Sequence, residues 1–374
     1  MVGAGIAGLA SAIGLARAGW RCDVLEPTPH QRGLGHGMLL PPPARATLER
    51  LGGGPIEAFT APIDTFAIHH PDGTLQRRFA IPGSLSVLHR DLLAQLERAL
   101  PADVARHSER CVGLEGSPEM GYRVVGASGR RWEGHLIVAA DGVGSLCRAA
   151  LFPKARLTPE QVSELGLVVP RVMLAQGQKH SCRKFQHPSA GLALGLVPCR
   201  NNQAVLYAQI ATHRHPLPNP TEGHRFLQQL FSDWNPELRA LLKDLDPTIR
   251  VHRWRTTDLD PLPALHRGNV VLVGDSGHPM LPFSSQGAAG AMEGALRLSS
   301  LLGHLDGDPQ SLRNALMRYS ASRLPELTPL LQEGRALRRQ FLEPDRVAEE
   351  TVAPLAGFPT APEVMQETAA VERP

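Results

Sequence analysis

The sequence is short of cysteine, of aromatic residues, of any dominant charge and of long apolar runs, and each shortage argues against a class of protein. Its five cysteines, Cys22, Cys111, Cys147, Cys182 and Cys199, are odd in number, widely spaced and contain no C-x-x-C pair. That pattern speaks against a disulfide framework or a thiolate zinc site and fits free thiols in a reducing cytoplasm. Sixteen histidines are present, but none falls in H-E-x-x-H or a similar spacing, so no metal is expected. The net charge is only +3 over 374 residues, and the lysines and arginines are scattered. A nucleic-acid or membrane-surface role therefore gains no electrostatic support. No apolar run approaches the roughly 18 residues of a membrane helix. The first 16 residues are apolar enough to mimic a signal peptide, but they lack a basic start and their glycines fall at motif spacing. Aromatics make up 5 % of the chain, so a pocket in it should be lined mainly by aliphatic residues.

What remains is an ordinary globular composition in a chain long enough for two lobes. The opening predicts the last residues of a strand, a Gly-rich turn, a helix from about 7 to 18 and a short strand, 21–25, ending in Glu26. Only Met1 and Val2 precede the first glycine, where a strand of about five residues is expected. The start reads as truncated, mis-assigned or unusually short, with a sheet edge exposed beneath whatever the turn binds. A hairpin is expected over 63–70 and 74–81 around Asp72-Gly73, a helix over 90–100, and short strands at 121–125 and 130–133. Buried strands at 135–140 and 268–273 end in Asp141-Gly142 and Gly274-Asp275. Residues 166–255 are richer in β-like segments, with one helix near 222–243. A long helical region runs from 286 to about 340.

The fold class expected is α/β. A discontinuous dinucleotide-binding domain (1–65, 88–165, 262–305) carries a β-rich substrate domain (66–87, 166–261), a C-terminal helical region (306–343) and a loosely attached tail (344–374). The first chemical signal is Gly3-x-Gly5-x-Ala7-Gly8. Gly3 permits the tight turn, Gly5 lets backbone N–H groups approach a pyrophosphate, and Gly8 lets helix and strand pack closely. Glu26, at the end of the next strand, is where a carboxylate takes ribose hydroxyls. Two further strands each deliver an aspartate onto a glycine turn: Asp141-Gly142, with Ser145 and Arg148 after it, and Asp275, followed by Gly277-His278-Pro279. A carboxylate so placed can accept from the hydroxyls of a polyol. Pro282 leads into Gln286-Gly287-Ala288, a bare helix N-terminus able to face an anion or a carbonyl oxygen.

These three motifs, in this order and spacing, resemble the single-component (group A) FAD-dependent aromatic hydroxylases of the p-hydroxybenzoate hydroxylase fold, and within them the salicylate hydroxylase-like branch. The resemblance implies a Rossmann-like FAD-binding domain. It assigns Gly3, Gly5, Ala7, Gly8 and Glu26 to the ADP half of FAD, and Arg90 to the cofactor's phosphate and ribityl region. Asp141 and Gly142 match a motif associated with both FAD and NADPH, and Asp275 the ribityl chain. Pro282, Gln286, Gly287 and Ala288 match the segment beside the isoalloxazine ring, and Arg32, with Gly35 and Gly37, the flavin edge. It departs from the family at Ala289, where many members have Asn, and at Gly294, where an acid is common. It implies that NAD(P)H, a transient co-substrate, reduces FAD and that a flavin hydroperoxide formed with O2 hydroxylates a small aromatic substrate. His278 reads equally as a general base or as packing, and Pro282 as a flavin- and substrate-facing position. Strand alternation nominates Arg183, His187 and Tyr207, with His180, Phe185, Leu194 and Gln209, to line the substrate. The protein is expected to be cytoplasmic, a monomer or homodimer, with no nucleic-acid or membrane partner. A geranylgeranyl-reductase type of activity, or flavin binding without turnover, is the alternative. A halogenase is disfavoured, since His252-Arg253-Trp254-Arg255 does not make its tryptophan motif.

Overall fold

The computed structural model describes residues 1–28, 36–170, 180–217, 222–303, 305 and 308–343. One sheet carries the Gly-rich turn and both aspartate turns: β1 (Asp23–Leu25) pairs in parallel with β5 (Ala105–His107), and β9 (Ile137–Ala139) in parallel with β16 (Val270–Leu272), which pairs antiparallel with β15 (His266–Arg267). Val2 joins the two halves, bridging in parallel to Leu25 on one side and Ala139 on the other. Its N–H donates to Val138 O at 2.8 Å and its carbonyl accepts from Ala140 N at 2.8 Å. Leu25 N donates to Met1 O and Gly3 N to Leu25 O, both at 2.9 Å. Met1, Val2 and Gly3 therefore carry the central ladder, with Val2 paired on both sides beneath the Gly-rich turn.

Helix α1 (Ile6–Arg17) follows the turn and packs on α7 (Gly287–Leu302). A side chain at Gly14 would collide with Ser299, so small residues set how closely the two helices approach. Helices α2 (Pro42–Leu51) and α3 (His89–Ala99) flank them, and the meander β6 (Cys111–Ser117), β7 (Gly121–Gly126) and β8 (Arg131–Trp132) packs against the short α4 (Leu146–Leu151). One large core joins all these elements.

The second sheet has eight strands. Its order is β14 (His252–Arg255), β10 (Val162–Pro170), β13 (Gln203–Ala211), β12 (Leu192–Pro198), β11 (Ser181–Gln186), β3 (Thr60–His69), β4 (Leu75–Leu88) and β2 (Gly37–Leu40). All neighbours are antiparallel except β11 and β3. The sheet thus gathers 37–40 and 60–65 as well as segments expected from the sequence. It curls until its two edges nearly meet: the His36 ring, just before β2, lies 3.9 Å from that of Trp254 on β14. The single helix expected near 222–243 is two, α5 (Gly223–Leu230) and α6 (Pro236–Lys243), because Asn235 caps a new helix whose first position is a proline. Their apolar faces cover the outer side of the sheet, packing Leu227, Phe231 and Leu238 on Leu165, Leu194, Leu206 and Phe185. The inner side faces the dinucleotide-binding lobe.

Helix α8 (Pro309–Leu342) runs back from that lobe to the curled sheet, where Phe341 packs with Val162 and Ala193. It also ties the two chain crossings between the lobes. Asp258, fully buried, accepts from Arg335 Nε at 2.6 Å and Nη2 at 3.3 Å and from the Thr158 hydroxyl. Arg335 also reaches Asp260 at 2.8 Å, and Leu157 bridges to Leu259. Burial alone would raise the Asp258 pKa, but Arg335 and Thr158 bring it below the ordinary value. A depressed carboxyl stabilises the fold above its unfolded pKa, near 4, and loses that contribution as pH falls through its folded value. Asp258→Ala should therefore cost about 3 kcal/mol in urea unfolding at pH 7, and the deficit should shrink toward pH 3.

Candidate functional site

The Gly-rich turn holds its shape through two glycines and leaves the third open. Gly3 has φ +90°, and a Cβ there would collide with the Ala140 carbonyl; a Cβ on Gly8 would collide with the Gly3 carbonyl. A Cβ on Gly5 meets nothing within 4 Å. The Glu26 carboxylate reaches back to this turn, accepting from Ala4 N at 3.0 Å and Thr28 N at 3.2 Å. It braces the turn as well as standing at the end of β1.

The two aspartate turns, alike in sequence, have different environments. Both Asp141 oxygens are engaged, one by the Ser145 hydroxyl at 2.6 Å and the other by Cys147 N at 3.1 Å, so this carboxylate organises the start of α4. Ser145 Oγ in turn accepts from Arg148 N at 2.8 Å. Arg148, 6 % exposed, donates to the carbonyls of Asp275 at 3.1 Å, Ser276 at 2.9 Å and Val143 at 2.5 Å, lacing the loop after β9 to the loop after β16. Gly274, with φ +65°, sits so close to Ala7 that a Cβ would lie 2.7 Å from the alanine methyl. The Asp275 side chain opens onto the interlobe cavity, where water can reach it. The protein around it still withholds enough solvent to push its pKa up to about 6, with Arg148 opposing that rise.

That cavity, about 630 Å³, begins at Gly5, Ile6 and Ala7, passes Gly142, Asp275 and the Met280–Phe283 segment, and ends on the inner face of the curled sheet. Of the residues nominated from the sequence, Gly5, Gly37, Ala7, Gly142, Asp275, Pro282, Gly287, Ala288, Tyr207 and Gln209 lie on its wall. Gly3 and Gly8 shape the turn behind it. Gln286 is buried with no hydrogen-bond partner for its amide among the described residues. Arg90 points elsewhere, donating to Gln203 Oε1 at 2.8 Å and lying 3.5 Å from Asp91. Arg32 and Gly35 lie outside the described residues. His278 is a correction: it lines a separate cavity of about 20 Å³, its two ring nitrogens lack partners among the described residues, and burial lowers its pKa to about 3. A neutral ring turned away from the main cavity is no base for it. Gly294 faces the buried Tyr319 hydroxyl, where a Cβ would sit at 3.1 Å, so the phenol occupies the space an acid would need.

The substrate half needs a second correction. On β11 the odd residues face outward: Arg183 is 5 % exposed, paired with Glu237 of α6 at 2.7 and 3.0 Å and stacked near Phe185. Phe185 and Leu194 belong to the outer core. His187 accepts turn N–H groups of Ser189 and Ala190, and His180 is exposed beside Pro62 O. Lys184 and Gln186 face inward instead, with Glu164, Tyr207 and Gln209. The signal that fixes this phase was in the sequence: Leu192, Leu194 and Leu196 on β12, and Leu206, Ala208 and Ile210 on β13, form the outward face, and α5 and α6 are amphipathic enough to cover it. Across the inner face Lys184, Gly195 and Tyr207 stand in one row, and a Cβ on Gly195 would overlap the Tyr207 ring. Gln186, Ala193, Gln209 and Glu164 form the next row. Burial raises the Glu164 and Tyr207 pKa values and lowers that of Lys184 to about 8, Glu164 opposing the last shift. Phe283 and Phe341 close the wall beside them.

A family model described as an FAD binding domain matches residues 85–333, and the chain belongs to that family. A 3-amino-4-hydroxybenzoate 2-monooxygenase of Streptomyces platensis is 30% identical over 366 residues, covering 92% of this chain and 88% of the relative. An FAD-dependent urate hydroxylase of Klebsiella oxytoca is 27% identical over 359 residues, covering 90% and 88%. Among solved structures, Klebsiella pneumoniae HpxO complexed with FAD and uric acid superposes with TM-score 0.81 at 22% identity, covering 93% and 90% of the two chains. A salicylate hydroxylase substrate complex gives 0.74 at 21% identity, covering 91% and 88%. The chain is thus an FAD-dependent oxidoreductase of the monooxygenase class, in an α/β fold with a curled sheet and C-terminal helices, and FAD is its cofactor.

The residues present fit that cofactor, since the open side of Gly5, the bare start of α7 at Gly287 and the exposed Asp275 carboxylate share one cavity. Gly5→Ala should leave the fold intact and weaken FAD by about 10-fold or more, whereas Gly8→Ala should unfold the turn and lower the melting temperature. FAD titration and thermal melts separate the two. Asp275 gives a second check. A raised carboxyl pKa costs the folded state stability above it, none of it below the unfolded value. Flavin-free Asp275→Asn should melt above the parent at pH 7, with the gap closing below about pH 4, while its FAD affinity falls.

Proposed function

We propose that the protein is an NAD(P)H-dependent FAD monooxygenase that hydroxylates a single-ring aromatic or heteroaromatic compound held against the inner face of the curled sheet. The observation that carries this reading is the continuity of one cavity from the Gly-rich turn, past Asp275 and Pro282, to Tyr207 and Gln209. Gly5 and Ala7 would meet the pyrophosphate on the turn that Gly3 and Gly8 shape from behind, Glu26 at the end of β1 would take the ribose, and Asp275 the polyol chain, with Gly142 alongside. Pro282, Gly287 and Ala288 would border the flavin ring, and Gln286 would set the turn before α7. Arg90, which the resemblance assigns to the phosphate and ribityl region, is bonded to Gln203.

FAD held there would supply the hydride-accepting and O2-activating chemistry that hydroxylation of an electron-rich ring needs. The chain's part is to position that ring and keep water out. Leu337 and Phe341 of α8 and Phe283 supply a dry wall on the sheet side. The first N–H groups of α7 carry partial positive charge toward the cavity at Gly287. Tyr207, a neutral phenol whose pKa burial raises further, offers a flat surface and a hydroxyl. Among the described residues no helix is long and apolar enough to cross a membrane. Five free thiols, four of them buried, suit a reducing cytoplasm.

The test is oxygen-isotope labelling with the purified protein. Under 18O2 an aromatic acid should stimulate NAD(P)H oxidation, with matching oxygen uptake and one labelled oxygen in the product. NAD(P)H consumption with a reduced product and no oxygen uptake would favour the reductase alternative, and a colourless protein that cannot be reconstituted with FAD would contradict the reading outright.

A further inference from the structure

The polar groups on the inner face of the curled sheet are sorted by character. Lys184, 9 % exposed, sets its ammonium 5.0 Å from the centre of the Phe341 ring and 5.6 Å from that of Phe283. Among the described residues it makes no ion pair, and Glu164, in the adjoining row, is the charged group that acts on it. Two aromatic faces favour a cation but leave its N–H groups without acceptors. An ammonium so placed is matched by an anion entering the cavity.

The adjoining row has the opposite character. Gln209 Nε2 donates to Glu164 Oε2 at 3.2 Å, and Gln209 Oε1 is buried with no partner among the described residues. What the pair presents to the cavity is therefore acceptors, and the group that satisfies them is a donor. Lys184 on β11 and Gln209 on β13 are separated by β12, which carries only Gly195 and Ala193 inward at these positions. Two strand spacings of roughly 10 Å and the two-residue offset between the rows put their Cα atoms about 12 Å apart, which the lengths of the two side chains reduce to the span of one substituted ring. The Tyr207 ring, lying over Gly195, forms the floor between them.

We propose that Lys184 and the Glu164–Gln209 pair are the specificity-determining contacts of this cavity, selecting a single-ring aromatic acid whose carboxylate meets Lys184 and whose amino or N–H group at the far side meets Gln209 and Glu164. This rests on the proposed function, since it assigns the substrate class of the same site. Neither contact belongs to the flavin half of the cavity, so both can change while FAD binding is retained.

Titration of the FAD-loaded protein with 4-aminobenzoate, 4-aminobenzamide and benzoate, followed by the change in flavin absorbance, tests it without turnover. The amino acid-bearing ring should bind about 10- to 100-fold tighter than its amide, and tighter than benzoate by a similar factor. Lys184→Met, which keeps the apolar stem, should erase the preference for acid over amide, and Lys184→Arg should restore it. Glu164→Gln together with Gln209→Leu should erase the preference for the amine and keep that for the acid. Equal binding of acid and amide to the unsubstituted protein, or a Lys184→Met variant that weakens both alike, would overturn the inference. Failure to take up FAD would overturn the proposed function and this inference with it, whereas FAD uptake without acid preference would overturn this inference alone.

Discussion

The site depends on how three strand ends are held together, and Arg148 is the side chain that ties two of them. Its buried guanidinium gives three hydrogen bonds to main-chain carbonyls of two loops, one after β9 and one after β16. The third loop, the Gly-rich turn after Val2, is brought in by contacts that tolerate no extra carbon: Gly3 against Ala140, Gly8 against Gly3, Gly274 against Ala7. A guanidinium has five donors in a rigid fork and keeps its charge when buried, so it suits a position bonding several carbonyls at once. With the loops so fixed, Asp275 is the carboxylate left facing the cavity, and Asp141 is consumed in building the loop.

The two halves of the cavity are made in different ways, and this follows from what each must recognise. The half proposed to take FAD is backbone, glycine and alanine, which suits a phosphate, met by N–H groups and a helix start to which the chain must come close. The substrate half is side chain. A curled sheet with α5 and α6 outside has an inner face free to vary, and here it carries Lys184, Gln186, Tyr207, Gln209 and Glu164 around a glycine and an alanine on β12. Helix α8 spans both halves, its Arg335 pinned to Asp258 between the lobes and its Phe341 against the sheet.

Much of the geometry at the Gly-rich end of the cavity was legible in the sequence, since its signals are local: a glycine that needs φ > 0, a strand that ends in aspartate, a helix that begins bare. Even there, the sequence presents Asp141 and Asp275 as equals, and only the Ser145 hydroxyl and Cys147 N–H distinguish them. The short first strand looked like a defect, but Val2 is bonded on both sides. The substrate half was less legible. A strand's period of two separates its two faces, but which one looks inward is decided by the distant amphipathic helices that cover the other, and a slip of one residue exchanged Arg183 for Lys184. Glu237 of α6, which takes up Arg183, lies more than fifty residues away, beyond the reach of any local pattern. His278 failed for a similar reason, since its loop passes the cavity while its ring points the other way.

The central claim is that a single cavity holds FAD along the Arg148-laced loops and an aromatic ring against the Tyr207 floor. A crystal structure of the protein with FAD and 4-aminobenzoate tests it most directly. The account predicts the pyrophosphate at Gly5, the polyol chain at Asp275, the flavin ring beside Pro282 and Gly287, and the benzoate between Lys184 and Gln209. FAD bound away from the Gly-rich turn, or an aromatic acid seated outside the curled sheet, would contradict it.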